Sequence, residues 1–312
     1  MRLYRFVSTQ GGYQPRTALG IDDGPPIDLL AAWGAAHGKS FDLEEEQFLV
    51  STLQLIEEGR EVWNEVEHVA RGAAARDDLR VTGADVRWAC PLDRLSSLRD
   101  FLAFEDHVER GAQRRGQEVP QYWYEAPVYY KGNHRSIIGP DEECHWPPYT
   151  EHLDLELELA MIVGKRGRNV TREEAGDFVF GFSILNDFSA RDIQAREASV
   201  WLGPAKGKDF ASALGPCIVT ADEIGSEPDL EMICYVNGEE WGRGRSSDAR
   251  WRWADMIAHV SMGEDVFPGD VYGSGTPGGC CGVDIGRRLE PGDTVELEIE
   301  RIGRLRNPIG PR

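Results

Sequence analysis

Leucines and acids alternate without a break in the segment 153–159, and the segment then continues as Ala-Met-Ile-Val-Gly. Because successive side chains of a β-strand point to opposite faces, this pattern predicts a strand with four leucines on one face and Asp154, Glu156 and Glu158 on the other. Neighbouring like charges on one face are unfavourable unless water or a cation compensates them. A half-exposed strand with a solvated acidic face is one interpretation, and a compensated cation site is the other.

The residues around this segment favour the cation site. Its apolar end is typical of a central strand, in which acids need a compensating partner. A second apolar segment, 178–185, predicts a neighbouring strand that ends at Asn186 and Asp187, so a third carboxylate can join Glu156 and Glu158. Carboxylates without neighbouring histidine or cysteine select hard cations, namely Mg²⁺, Ca²⁺ or Mn²⁺.

Two motifs follow this second strand. Ser189 and Asp192 fit a capping box, which predicts a helix whose first turns carry Arg191 and Gln194 and whose N-terminus would favour an anion. The segment Gly-Pro-Ala-Lys-Gly-Lys that ends at Lys208 lacks the GxxxxGK[ST] pattern of a phosphate-binding loop, but a lysine beside a bound substrate can stabilise an oxyanion. The alternatives are an ordinary capped surface helix and a solvated loop lysine.

The remaining pattern predicts an α+β fold. Short apolar segments bounded by glycine and proline predict further strands, and amphipathic spacing predicts helices, with Gly59 separating two of them. The predicted strands are 2–8, 17–21, 127–130, 217–220, 230–236 and 294–299, and the predicted helices lie within 26–37, 43–72 and 98–115. Because the composition changes in the small, charged segment 71–84, we expect a small N-terminal α+β domain, residues 1–80, and a β-rich C-terminal domain with a rolled mixed sheet, residues 81–312.

The charge balance restricts the partners. Lys and Arg number 34 against 54 Asp and Glu, a formal net charge of −20, which disfavours nucleic acid and anionic membrane surfaces. No apolar run has the length of a signal peptide or a transmembrane helix. The six cysteines are scattered without a CxxC pair, which argues against a disulfide scaffold or a zinc knuckle, so we expect a cytoplasmic protein with reduced thiols.

Taken together, five segments resemble the fumarylacetoacetate hydrolase family. They are LDLELELAMIVGK, FGFSILNDFSARDIQ, LGPAKGKDF, GSGTPGG and LEPGDTVELEIERIGRLRN, in this order along the chain. The resemblance covers roughly residues 100 to 310, and MRLYRF at the start is similar to the small N-terminal domain of many members. It implies the family fold, a homodimer and a small-molecule dioxo acid as the substrate.

The resemblance also implies a role for each matching residue. His107, seven residues after Asp100 in this sequence, would be the general base. Lys208 would face the bound substrate. The implied metal ligands are Asp100, Glu156, Glu158 and Asp187, with Mg²⁺ as the expected ion and Ca²⁺ or Mn²⁺ as alternatives, and the implied substrate-contacting residues are Tyr130, Arg191, Gln194 and Thr276.

Two positions depart from the family pattern. Leu102 replaces a tyrosine two residues after the ligand aspartate, and no C-terminal glutamate that would orient His107 is found near Cys280 and Cys281. Three acids close to the histidine are candidates to orient it instead, namely Glu105, Asp106 and Glu109. These departures disfavour fumarylacetoacetate itself as the substrate.

We therefore expect a divalent-metal-dependent hydrolase that cleaves a carbon–carbon bond in a 1,3-dioxo or acylpyruvate-like acid, in the catabolism of aromatic compounds. His107 would take a proton from water, and Lys208 would stabilise the tetrahedral oxyanion. One alternative is a 2-oxo acid decarboxylase, isomerase or hydratase on the same scaffold. The other, from a different class, is a non-catalytic calcium-binding acidic protein, in which Lys208 and His107 would point away from the carboxylates.

Overall fold

The computed structural model describes residues 1–8, 15–38 and 46–312 of the chain. Its strands are β1 (Arg2–Ser8), β2 (Arg16–Gly20), β3 (Ile27–Asp28), β4 (Val86–Ala89), β5 (Ser97–Phe101), β6 (Tyr129–Gly132), β7 (Ile137–Ile138), β8 (Leu153–Asp154), β9 (Leu157–Val163), β10 (Gly167–Arg168), β11 (Val179–Asn186), β12 (Ser189–Ala190), β13 (Ser212–Thr220), β14 (Glu231–Val236), β15 (Glu239–Arg245), β16 (Asp265–Val266), β17 (Asp270–Gly273), β18 (Thr294–Ile299) and β19 (Gly303–Pro308). Its α-helices are α1 (Leu29–His37), α2 (Thr52–Glu58), α3 (Arg60–Gly72), α4 (Glu105–Arg114), α5 (Arg191–Ala198), α6 (Ala221–Ile224), α7 (Trp253–Ser261) and α8 (Gly282–Ile285). Short 3₁₀-helices cover Gln47–Leu49, Asp77–Leu79, Gln121–Tyr124, Ala175–Phe178 and Ser246–Asp248.

One mixed sheet organises the described residues. Its strand order is β3-β2-β1-β13-β11-β9-β17-β5-β6, with β4 beside β1 and β7 beside β13. The acidic strand β9 lies inside this order, antiparallel to β11 on one side and to β17 on the other, while β17 and β5 run parallel. The expected α+β class is therefore confirmed, and β9 is the central strand that its apolar end predicts.

The leucine face of the acidic segment lies in the larger hydrophobic core. The four alternating leucines, Leu153, Leu155, Leu157 and Leu159, are 0% exposed and belong to one cluster. The four-stranded sheet β15-β14-β18-β19 and the helix α7 pack apolar side chains into the same cluster. Burial of these leucines on one side fixes the register of the acids on the other, because a shift by one residue would exchange the two faces.

The acidic face is covered by helices over only part of its length. Ala160 and Ile162 pack in a second cluster with residues of α1, α2 and α3. Glu158 and Glu156 continue this face and line a cavity, yet they are only 0% and 6% exposed. The half-exposed strand is therefore the wrong interpretation, and the acids are buried.

The N-terminal elements share both the sheet and the second core with the rest of the chain. β1 pairs with β13, and Ile218 of β13 and Phe180 of β11 lie in the cluster that the N-terminal helices form. The division into residues 1–80 and 81–312 stays a prediction. None of the helices in the described ranges has the length and apolarity that a membrane crossing requires.

The helix predicted within 98–115 is present, but the first part of this segment forms a strand that the sequence analysis did not predict. Ser97–Phe101 form β5, and α4 begins only at Glu105. The spacing of Leu98, Phe101 and Leu102 imitates one face of a helix. The segment 97–101 is a strand instead, because it pairs with β17 on one side and with β6 on the other. In the segment 43–72, by contrast, Gly59 separates two helices as predicted, and residues 43–45 of that segment lie outside the described residues.

The capping box predicted at Ser189 and Asp192 is also wrong, although the helix exists. α5 begins at Arg191 after Ala190, which provides no side-chain cap. The hydroxyl of Ser189 donates to the carbonyl oxygen of Asp187 instead. The carboxylate of Asp192 accepts hydrogen bonds from the loop before β8. Both side chains that the capping box would have used are therefore engaged elsewhere, Ser189 with the backbone two residues earlier and Asp192 in a tertiary contact.

Candidate active site

A cluster of four carboxylates lies at a cavity of about 550 Å³. Asp100 is on β5, Glu158 is on β9, Glu156 precedes β9, and Asp187 follows β11. One oxygen from each carboxylate lies within 4.8 Å of the others. All four residues are at most 6% exposed. The fold thus brings together the four acids that the sequence analysis names as metal ligands.

The strand β17 leaves room for this carboxylate cluster between β9 and β5. Its last residue, Gly273, pairs with Ala160 on β9 and with Asp100 on β5. A Cβ atom at Gly273 would lie 2.4 Å from Glu158 Oε2 and 2.8 Å from Asp100 Oδ1. Any side chain at this position would therefore displace the carboxylates.

Two cations, the buried Lys208 and the largely buried Arg191, compensate part of the negative charge. Arg191 donates from Nε to Asp154 Oδ2 and from Nη2 to Glu156 Oε1, both at 2.8 Å. Lys208 Nζ donates to the other oxygen of Glu156 at 2.5 Å and to Asp187 Oδ2. Burial alone would raise the pKa of Glu156, but the charges of Arg191 and Lys208 outweigh burial and hold this pKa below its ordinary value.

The other two acids of the cluster lack such partners. Burial raises the pKa values of Asp100 and Glu158, and the charges of the neighbouring carboxylates raise them further. Within the described residues, Asp100 Oδ1 and Glu158 Oε1 are buried without a hydrogen-bond partner. Buried polar atoms are seldom left unpaired, and an all-oxygen donor set with excess negative charge suits a hard divalent cation. The residues present therefore fit the expected metal.

His107 faces the carboxylate cluster from the first turn of α4. Its Nε2 atom lies 3.8 Å from Glu156 Oε1, and its Nδ1 atom lies 2.8 Å from Asp284 Oδ2. Asp284, on α8, also accepts from Arg114 Nη1 at 2.6 Å and from the backbone N–H of Gly279 at 3.1 Å. Burial would raise the pKa of Asp284, but the hydrogen bond and charge of His107 outweigh it, so the pKa falls to about 2. The acid is therefore ionised and holds the imidazole in one orientation.

The sequence analysis missed Asp284. The local candidates were Glu105, Asp106 and Glu109, but Asp106 accepts from the backbone N–H of His107 and not from its ring. The acid that contacts the ring lies 177 residues away in sequence. No periodicity or spacing in the sequence connects these two residues.

The predicted substrate-contacting residues line the same cavity. They are Tyr130, Arg191, Gln194 and Thr276. Tyr130 donates its hydroxyl to Asp187 Oδ2 at 2.8 Å, and Thr276 donates to the carbonyl oxygen of Cys280 at 3.2 Å. Leu102, at the position that departs from the family pattern, also lines the cavity. The roles of these residues toward a substrate stay predictions.

The non-catalytic calcium-binding alternative requires Lys208 and His107 to point away from the carboxylates. Lys208 contacts both Glu156 and Asp187, and the ring of His107 faces Glu156. This requirement is not met, because an imidazole and an ammonium group both face the carboxylate cluster.

Comparisons with known proteins point to one family. The family model described as Fumarylacetoacetate (FAA) hydrolase C-terminal matches residues 97–310. Oxaloacetate tautomerase YisK of Bacillus subtilis (strain 168) is 31% identical over 298 residues, which cover 93% of this chain and 94% of the relative. The oxaloacetate tautomerase fahd2 of Xenopus laevis is 34% identical over 317 residues, which cover 99% of this chain and 90% of the relative.

Solved structures have the same fold. A fumarylacetoacetate hydrolase from psychrophilic Exiguobacterium antarcticum is 26% identical, with a TM-score of 0.75 and 100% of both chains covered. A fumarylpyruvate hydrolase from Pseudomonas aeruginosa, in complex with Mn²⁺ and pyruvate, is 22% identical, with a TM-score of 0.62 over 74% of this chain and 94% of that one. The similarity to the Exiguobacterium antarcticum structure includes the N-terminal elements of this chain, so the two chains share the fold of these elements as well.

Proposed function

Because the chain belongs to the fumarylacetoacetate hydrolase family, we propose that it interconverts the keto and enol forms of a small 2-oxo dicarboxylic acid of the oxaloacetate class. The observation that carries this proposal is the His107–Asp284 pair facing four carboxylates at one cavity. The two relatives described above are oxaloacetate tautomerases, and each alignment covers at least 90% of this chain and of the relative. Their names favour an isomerase over the hydrolase that the sequence analysis expected.

A divalent cation belongs to this proposal, with Mg²⁺ as the expected ion. Its ligands would be Asp100, Glu156, Glu158 and Asp187. When bound, such a cation polarises the ketone and stabilises the charge of the enolate. The buried oxygens of Asp100 and Glu158 that lack partners support this ligand set.

Proton transfer is the task of His107 in this proposal. Its Nε2 atom accepts a proton from the carbon beside the ketone and returns it to the ketone oxygen, so the two forms interconvert without water or a second reactant. Asp284 accepts the Nδ1–H, which keeps Nε2 free to act as the base and stabilises the imidazolium while it carries the proton.

Lys208 contributes positive charge beside the reacting oxygen. Burial would lower the pKa of Lys208, but Asp187 and Glu156 outweigh burial and raise it, so the ammonium group remains charged. A fixed positive charge in a water-poor site stabilises negative charge that develops on an enolate or alkoxide oxygen. Arg114 and Arg115 also line the cavity and suit an anionic substrate.

Hydrolysis of a carbon–carbon bond in a 1,3-dioxo or acylpyruvate-like acid is the second candidate. The same His107–Asp284 pair favours it, since an oriented imidazole can take a proton from water as well as from carbon. Hydrolysis consumes one water and gives two fragments, whereas tautomerisation changes no mass. A homodimer, a dioxo acid partner and the absence of nucleic-acid and membrane partners remain predictions.

A substrate panel separates the two candidates. Oxaloacetate, acylpyruvates and fumarylpyruvate are each incubated with the purified chain and Mg²⁺, Mn²⁺ or Ca²⁺, with EDTA as the metal-free control. We expect faster decay of the enol absorbance of oxaloacetate, lost with EDTA, and no fragments by mass spectrometry. Metal-dependent fragments from a dioxo acid, with no effect on the oxaloacetate enol, would replace the tautomerase proposal by the hydrolase.

A further inference from the structure

We propose that the chain has a second metal site, for a borderline or soft divalent cation such as Zn²⁺, formed by His107, Cys281 and Asp284. The Nδ1 atom of His107 lies 2.8 Å from Asp284 Oδ2 and 3.9 Å from Cys281 Sγ. The three donor atoms lie within 4.8 Å of one another. Imidazole, thiolate and carboxylate are the three kinds of side chain that bind zinc in proteins.

The distances are close to those that the ion needs. With the usual Zn–N, Zn–O and Zn–S bond lengths, a tetrahedral ion separates its N and O ligands by about 3.4 Å and its N and S ligands by about 3.6 Å. The observed distances are 2.8 Å for His107 to Asp284 and 3.9 Å for Cys281 to His107. The two pairs that include His107 therefore have to move by well under 1 Å. A water molecule would complete the fourth position.

The donors are held by elements that already contact one another. His107 lies in the first turn of α4, and Cys281 directly precedes α8, which carries Asp284. The other oxygen of Asp284 accepts from Arg114 at 2.6 Å, so this contact can remain when an ion replaces the proton shared with the histidine. A thiolate and a carboxylate balance the two charges of Zn²⁺. The bound centre would therefore be neutral.

This zinc site differs chemically from the carboxylate cluster beside it. The cluster offers oxygen alone, from Asp100, Glu156, Glu158 and Asp187, and so favours hard cations. The zinc site includes a sulfur ligand, which hard cations such as Mg²⁺ do not select. Cys281 is 1% exposed and has no part in the reaction proposed above, so the sulfur is free for this use.

Occupation of the zinc site would inhibit the enzyme. A cation on Nδ1 leaves Nε2 as the protonated nitrogen of a neutral imidazole, and this nitrogen can then donate but not accept a proton. The ion also removes Asp284 from its contact with the ring. Inhibition rests on the proposed role of His107 in catalysis, whereas binding of the ion does not.

Cobalt tests the binding directly, because thiolate-bound Co²⁺ has a charge-transfer absorption that oxygen ligands do not produce. The chain is first saturated with Mg²⁺, which occupies oxygen ligands, and is then titrated with Co²⁺. We expect the thiolate band to saturate at one Co²⁺ per chain and to disappear when Zn²⁺ is added. A chain without the band would overturn the proposal, whatever its activity.

Two cysteine variants assign the sulfur. Cys281→Ser should abolish the band, while the matched control Cys280→Ser should keep it, since the thiol of Cys280 contacts that of Cys234 instead. A band that survives Cys281→Ser, or that is lost in Cys280→Ser, contradicts the site. Circular dichroism and Mg²⁺ affinity establish that each variant is folded. If Cys281→Ser does not fold, His107→Gln is tested in its place. This variant should bind Co²⁺ about tenfold more weakly or worse. Unchanged Co²⁺ binding in His107→Gln would also contradict the site.

Inhibition provides the functional readout. Zn²⁺ should inhibit the wild-type chain and Cys280→Ser at similar concentrations, and Cys281→Ser should need about tenfold more Zn²⁺ or higher. Equal inhibition of all three would assign the effect of Zn²⁺ to the carboxylate cluster and overturn the inhibitory role. If no turnover is found for any substrate, the proposed function fails, but the cobalt titration still decides whether the zinc site exists.

Discussion

The orientation of His107 depends on a single side chain from a distant part of the sequence. Asp284 accepts the hydrogen bond of Nδ1 at 2.8 Å, and its pKa of about 2 keeps it ionised at neutral pH. Replacing this acid by an amide keeps its size but removes the charge that fixes the ring and stabilises the imidazolium. The pair is therefore the most direct point at which to test the proton-transfer proposal.

We predict that Asp284→Asn lowers the tautomerase kcat by about 10²-fold or more, the lower end of what a general acid–base group contributes. Mg²⁺ affinity should change little, because the carboxylate cluster is intact. Enol decay rates and isothermal titration calorimetry measure the two quantities. Asp248→Asn, at an exposed position, is the control, and a kcat of Asp284→Asn within twofold of the control would remove this pair from the mechanism.

Arg191 has a structural role that can be measured separately from activity. It contacts Asp154 and Glu156 at 2.8 Å each, and its side chain is 11% exposed. Arg191→Gln leaves buried carboxylates without this compensation, so we predict a loss of about 3–5 kcal/mol in the free energy of unfolding. Arg312→Gln, which removes an ion pair with the 82% exposed Glu151, should cost less than about 1 kcal/mol.

Urea unfolding at neutral pH gives both free energies. If Arg191→Gln and Arg312→Gln cost the same, the buried arginine does not compensate the cluster in the way its contacts indicate. The positions of three cluster carboxylates could be predicted from the sequence pattern, because alternation places Glu156 and Glu158 on one face and a strand ends at Asp187. Asp100 was expected only from the family resemblance, and the ligand role of all four acids stays a prediction. Asp284 could not be predicted, since no period or spacing links an acid on one helix to a histidine on another.

At the scale of elements, the site depends on a strand that contributes no side chain to it. Gly273 on β17 is the residue between the acids of β9 and β5, and its backbone is not in the left-handed region that only glycine tolerates well. A methyl group there would meet Glu158 Oε2 at 2.4 Å and Asp100 Oδ1 at 2.8 Å. The backbone conformation at Gly273 therefore allows alanine, but the added methyl group would clash with both carboxylates in their present positions.

We predict that Gly273→Ala weakens Mg²⁺ binding by about 10- to 100-fold, as changes that reposition metal ligands do. The fold should persist, because the ends of the acidic side chains can turn away. Calorimetric titration with Mg²⁺ measures the affinity, and Gly72→Ala in α3, whose added methyl group would meet no atom within 4 Å, is the control. Equal affinity in the two variants would mean that the cluster does not hold the ion.

Elements differ in how well sequence predicts them. The strand 294–299 is found with its predicted bounds, because its apolar and polar residues alternate over its full length. The segment 98–115 combines a strand and a helix, and three apolar residues at helical spacing conceal the boundary between them. The capping box predicted at α5 was wrong for a different reason. Ser189 donates to the backbone of the nearby Asp187, and Asp192 accepts from Thr150 in the loop before β8.

At the scale of the whole molecule, the sheet has strand neighbours that no local pattern specifies. β9 lies between β11, which follows it closely in sequence, and β17, which comes much later. A period of two indicates which side chains share a face but not which strand lies alongside. The change in composition at 71–84 suggests a domain boundary, yet β1 pairs with β13 and the N-terminal helices share a core with β9, β11 and β13.

This shared core predicts how the chain unfolds. Ile56 on α2 is 0% exposed in the same cluster as Ile162 of β9 and Ile218 of β13. We predict that Ile56→Ala lowers the free energy of unfolding by about 2–5 kcal/mol and that one cooperative transition persists. Circular dichroism, tryptophan fluorescence and loss of Mg²⁺-dependent activity should share one midpoint in urea, shifted together by the substitution.

Val200→Ala, at a side chain that is 67% exposed, should leave that midpoint unchanged. Two transitions, with Ile56→Ala moving only the one that spares activity, would instead establish residues 1–80 as a domain that folds independently of the site.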